Sequence, residues 1–100
     1  MSKKISPKYK IRATNRYKKH LKLIAKRNLD NVRKINDVVH LLERGLALPP
    51  KMKDHSLVGN FAGHRECHVS PDLLLIYKIV DEILILELVD TGSHADIFGL

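Results

Sequence analysis

One hundred residues, 44% of them apolar and 29% charged, suffice for one buried core and exclude both a disordered chain and two independent domains. Eighteen Lys and Arg against eleven Asp and Glu leave a net charge of +7, which calls for a negative partner, either a polyanion or an acidic protein segment. No run approaches the roughly 20 apolar residues needed to cross a bilayer, and the single cysteine, Cys67, cannot close an internal disulfide, so a cytoplasmic protein with no membrane partner is expected.

Residues 1–7 read as a loose tail ending at Pro7, followed by a single domain over 8–100. Tyr9 to Ala13 alternates apolar and basic side chains, the pattern of a short strand with one buried face. Thr14 or Asn15 then caps a helix whose Tyr17, Leu21, Ile24 and Ala25 share one face, while Lys18, Lys19, Lys22 and Lys26 cover the others. Eleven basic residues from Lys3 to Arg27 precede the first acid, Asp30. A second helix follows, capped by Asp30 or Asn31, with an apolar stripe of Val32, Ile35, Val38, Val39, Leu42 and Leu46; Gly45 and Pro49-Pro50 end it. The two form a helical hairpin that covers one face of a sheet. That sheet comes from strands at residues 64–69, 73–80 and 83–89, joined by short turns at Ser70-Pro71-Asp72 and Asp81-Glu82. Thr91-Gly92-Ser93 turns the chain into a short segment from His94 to Phe98. The fold class is α+β, a β-α-α-β-β-β domain with a mainly antiparallel sheet whose last two strands, lacking clean alternation, are covered on both faces.

The chemistry-bearing residues concentrate between Asp54 and Asp72, which hold three of the six histidines and the cysteine. Strand alternation puts Arg65, Cys67 and Val69 on one face and His64, Glu66 and His68 on the other, with the Cys67 face inward. His64, Cys67 and His68 therefore cannot close around a metal ion, and neither a metal nor a cofactor is expected. His55, His68, Asp72 and His94 fall at strand ends or in loops, where a sheet displays catalytic groups. Imidazoles converging on a basic protein suit RNA cleavage by the RNA's own 2′-hydroxyl, which needs a base, an acid and positive charge for the phosphorane.

The run KDHSLVGNFAGHRECHVSPDLLLIYKI (residues 53–79), followed by TGSHADIF (91–98), resembles the YafQ branch of the RelE-like toxins, with its DHxLxG, RxxHxxPDxLLIY and TGxHxxLF blocks. The resemblance extends more weakly over residues 8–99 and implies a RelE-like fold. It also implies an mRNA interferase that cuts codons in the ribosomal 30S A site, a DinJ-type antitoxin partner, and operator DNA binding through that antitoxin. Carried over by position, it marks His55, His68, Asp72, His94 and Phe98. His94 is then the general acid, His55 or Asp72 the base or its orienter, and His68 a phosphate-binding group. Two positions depart from the pattern: many relatives carry arginine at the position where this chain has Asp90 and tryptophan where it has Leu73. Lys53 or Arg65 would replace the missing cation, and Lys18, Lys19 and Lys22 would contact ribosomal RNA or an acidic antitoxin segment. Alternatives with the same fold are a ParE-like inhibitor of DNA gyrase without catalysis and a catalytically impaired co-repressor that binds antitoxin.

Overall fold

The computed structural model describes residues 7–99, so the expected N-terminal tail lies, Pro7 apart, outside the described residues. β1 (Lys10–Ala13) ends at Thr14, which caps α1 (Asn15–Arg27) by accepting from the Tyr17 amide at 3.1 Å. The Thr14 hydroxyl donates in turn to the Val89 carbonyl at 2.6 Å, tying the helix start to the sheet. A single residue, Asn28, separates α1 from α2 (Leu29–Glu43). Its amide closes the end of α1 on the Ile24 carbonyl, and its side chain caps α2 by accepting from the Asp30 amide at 3.0 Å. The cap thus precedes Asp30 and Asn31, because one extended residue serves both helix ends. Gly45 just past α2 has φ +75°, and a Cβ there would come within 2.9 Å of Lys8 Cδ, so conformation and space both favour glycine. Leu46, assigned to the apolar stripe, falls beyond this end and is exposed.

The sheet has five strands in the order β1-β5-β4-β3-β2, formed with β2 (His55–Ser56), β3 (Arg65–Ser70), β4 (Leu73–Val80) and β5 (Ile85–Gly92). β1 runs parallel to β5 and the other pairs are antiparallel. Two details differ from the sequence pattern. β2 is too short to show alternation, and Asp81–Ile83 forms a 3-10 turn closed by Leu84 at φ +52°, so β5 begins at Ile85 and absorbs Thr91 and Gly92.

Both sheet faces are covered. Tyr17 and Ile24 of α1 and Ile35, Val38, Val39 and Leu42 of α2 bury against Cys67, Leu75, Tyr77, Leu86 and Leu88. On the other face Leu74 and Ile76 pack with Leu57, Phe61 and Ile97, the last from α3 (His94–Phe98). Ser93 starts α3 with a reciprocal cap: Asp96 N–H donates to its hydroxyl, and its own N–H donates to the Asp96 carboxylate, each at 3.1 Å.

Cys67 is fully buried in the helix-side core, and burial, with Asp54 and Glu66 adding like charge, pushes its thiol up to about 12. At pH 8 Ellman's reagent is therefore expected to leave the native chain unmodified while reacting fully in denaturant. Rapid stoichiometric reaction of the folded protein would contradict this packing.

Candidate active site

The alternation of β3 that buries Cys67 turns Glu66 and His68 to the opposite face, as the sequence pattern predicts. What the pattern misses is the position of Glu66. It is only 6% exposed, and β2 places His55 directly across from it. His55 Nε2 stands 3.3 Å and His68 Nε2 3.7 Å from the same carboxylate oxygen, Oε1. A carboxylate between two imidazoles is the centre of one side of the site.

The other side comes from the chain's end. His94 opens α3, exposed, with Nδ1 3.2 Å from Asp72 Oδ1 in the β3–β4 turn. This contact fixes the ring and leaves Nε2 free to face a substrate. The His94 ring lies 6.4 Å from that of His68 and 6.3 Å from that of Phe98, which meets Phe61 edge-on at 6.2 Å. His55, His68, Asp72, His94 and Phe98 are thus gathered at one end of the sheet, with Glu66 added. Asp72 holds His94 and is not beside the His55–Glu66 pair, which narrows the choice of base.

α3 is held from below by α1. Arg16 Nη2 donates to the Ile97 carbonyl at 2.5 Å, and Arg27 reaches Asp96 at 3.0 Å. Burial alone would raise the Asp96 carboxyl, but its bonds from Ser93 and Arg27 outweigh that and hold it below the usual carboxylate range.

The remaining cations separate into groups. Arg65 does not point at the site or into the helices. Its Nε donates to Asp54 at 3.1 Å and its Nη1 to Ser56 at 2.9 Å, and Tyr77 donates to the same Asp54 oxygen at 2.6 Å. The Asp54 bond raises the Arg65 pKa, and burial followed by Asp54 raises that of Tyr77. This network braces the segment that carries His55. Lys53 is exposed, in the left-handed region at φ +48°, and lines a groove with Lys51, Met52, His68 and Ser70. Lys18, Lys19 and Lys22 are exposed on α1, across the sheet from Glu66 and His68.

Both departures from the family pattern have structural explanations. Leu73 is 5% exposed within the helix-side core, so it offers no stacking surface; Phe98 and Phe61 present the aromatic faces beside His94. Asp90 does not face the site. β5 continues past the last residue paired with β1, and α1 closes over that stretch. There His20 Nδ1 meets Asp90 Oδ1 at 2.6 Å, the Thr91 amide donates to the same oxygen at 2.8 Å, and Arg16 Nε lies 2.6 Å from Oδ2. The Arg16 contact is one of charge, since its N–H is not aligned on Oδ2, which has no hydrogen-bond donor. Asp90→Ala is expected to cost about 1.5–3 kcal/mol, the range for a hydrogen-bonded buried charge. Half-exposed Arg16 recovers water, which keeps the loss below that of a fully buried pair. Equilibrium urea unfolding measures it; an unchanged midpoint would contradict the contact.

Comparison with known proteins identifies the family. Residues 9–99 match the family model described as the bacterial toxin of a type II toxin–antitoxin system, YafQ. The mRNA interferase toxin YafQ of Escherichia coli strain K12 is 40% identical over 89 residues, 89% of this chain and 95% of that protein. The E. coli DinJ–YafQ toxin–antitoxin complex superposes with TM-score 0.79 at 38% identity, covering 92% of this chain and 99% of the other. A metal-bound toxin from Helicobacter pylori superposes with TM-score 0.82 at 39% identity, covering 90% and 99%. By sequence and fold, the chain belongs to the YafQ family of type II toxin–antitoxin toxins.

Proposed function

We propose that this chain is an endoribonuclease that cuts messenger RNA in the ribosomal A site with its own side chains and is silenced by a DinJ-type antitoxin. One observation carries the reading: a buried carboxylate between two imidazoles faces a third imidazole held by its own carboxylate. In-line attack by a 2′-hydroxyl needs a base on one side of the phosphorus and an acid on the other. Glu66 takes the 2′ proton, and His94, oriented through Nδ1 by Asp72, gives a proton from Nε2 to the leaving 5′ oxygen. The 2′ oxygen bonds to phosphorus as the 5′ oxygen departs, leaving a cyclic phosphate. His55 and His68 flank Glu66, hold it in place and face the charge that develops on the phosphorane.

Lys53 binds a flanking phosphate in the groove beside His68, and Phe98 with Phe61 stacks a base. Arg65, bound to Asp54 and Ser56, serves as a brace rather than the missing phosphate cation. Lys18, Lys19 and Lys22 contact ribosomal RNA phosphates and share that surface with an acidic antitoxin segment. The toxin–antitoxin complex reaches operator DNA through the antitoxin.

Primer extension on a message with and without translating ribosomes tests the reading. Cuts are expected only with ribosomes, and a gyrase supercoiling assay should show no inhibition. Intact message together with inhibited gyrase would favour the ParE-like alternative, and intact message with tight antitoxin binding the co-repressor. Ribosome affinity should fall steeply with salt, each phosphate contact adding about 0.7–0.9 to the log–log slope. A flat salt dependence would remove the α1 lysines from the interface.

A further inference from the structure

α3 has five residues, too few to hold a helix without tertiary support, yet it carries His94 in its first position. Whatever fixes this helix therefore fixes the imidazole. Ile97 anchors one side in the sheet core. The other side depends on Asp96, whose carboxylate is shared between two donors. Its Oδ2 accepts from the Ser93 amide at 3.1 Å, closing the cap directly before His94. Both of its oxygens accept from Arg27 Nη1, Oδ1 at 3.2 Å and Oδ2 at 3.0 Å. The backbone makes room for that carboxylate: Gly92 has φ +140°, and a Cβ there would fall 2.8 Å from Asp96 Cβ and 2.9 Å from Oδ2. Arg27 is the last residue of α1, so the contact ties the end of one helix to the start of another. It shares a small cleft with Asn31, Ser93 and Asp72. Asp72 in turn accepts from the His94 ring at 3.2 Å and from its amide at 3.5 Å. Arg16 props the far end of α3 but also meets Asp90, which leaves Arg27 as the contact that can be removed alone.

We propose that Arg27 is a positioning residue for the general acid: through Asp96 it holds the first turn of α3 so that His94 Nε2 meets the leaving 5′ oxygen. The effect on cleavage rests on the nuclease reading; the hold on His94 does not. Single-turnover cleavage of message is measured at saturating ribosomes. Arg27→Ala should slow it about fivefold, the upper end of what a half-exposed ion pair supplies, with ribosome affinity unchanged. Arg27→Lys should recover part of the rate. Asp96→Asn should show the same loss as Arg27→Ala, and the double variant no more than either, since all three break one contact. In a His94→Ala background, Arg27→Ala should cost nothing further. An unchanged saturated rate, or an additive loss in the His94→Ala background, would overturn the role in cleavage. Weaker ribosome binding by Arg27→Ala with Asp96→Asn unaffected would make Arg27 a phosphate contact instead. Independently of cleavage, the His94 Cε1–H resonance, identified by its absence from His94→Ala, should shift in Arg27→Ala, while that of His40, at the exposed His40–Glu43 pair, stays in place. An unmoved His94 resonance would overturn the hold on His94. A chain that cuts no message yet shows the shift supports the hold and contradicts the nuclease reading.

Discussion

Glu66→Gln is expected to slow cleavage of ribosome-bound message by about 100- to 10,000-fold, the span over which a positioned general base accelerates proton transfer. Glutamine keeps the shape of the side chain and an oxygen for His55 and His68, so packing beside Ile76 changes little. It cannot take the 2′ proton. Because that proton moves only on the way to the transition state, the loss should fall on the single-turnover rate at saturating ribosomes rather than on ribosome affinity. An unchanged rate with this variant would move the base to His55, the other member of the pair.

How much of this was legible before the fold was known depends on how local each signal is. The apolar stripes of both helices and the inward face of Cys67 follow from periodicity, and the structure reproduces them. The ends of β3, the β3–β4 turn and α3 were readable as places where histidines collect. Glu66 was not singled out, because alternation assigns it to the outward face without revealing that Phe61, Ile97 and two imidazoles close over that face. The signal present was Glu66 and His68 two residues apart on one face; the missing part was β2, whose two residues set His55 opposite Glu66. Asp90 illustrates a different limit. Its charge suggested a defect in the site, yet its partners Arg16 and His20 come from about 70 residues earlier, and the register shift opposite Ile76 and Tyr77 interrupts simple alternation just before it. Arg65 was assigned correctly to the Cys67 side of the strand, but its guanidinium turns along the sheet edge to Asp54, a contact that single-strand alternation does not specify.

His94→Ala carries the other large effect. Among the described residues its side chain hydrogen-bonds to Asp72 alone, and that side chain is half exposed, so its loss should leave stability nearly intact. In the proposed role of general acid it protonates a poor leaving group, the 5′ alkoxide, and its removal should lower the single-turnover rate by about 100- to 10,000-fold. Asp72→Asn should follow in the same direction with a smaller loss, since it keeps a partner for Nδ1 and loses only the charge that favours the imidazolium.

The most direct test of the opposed acid and base is cleavage by His94→Ala of a ribosome-bound message whose scissile 5′ oxygen is replaced by sulfur. A thiolate leaves without protonation, so His94→Ala should cut this linkage at close to the parental rate, while Glu66→Gln remains slow on it. Equal impairment of His94→Ala on the oxygen and sulfur linkages would contradict a general-acid role and with it the proposed division of the site.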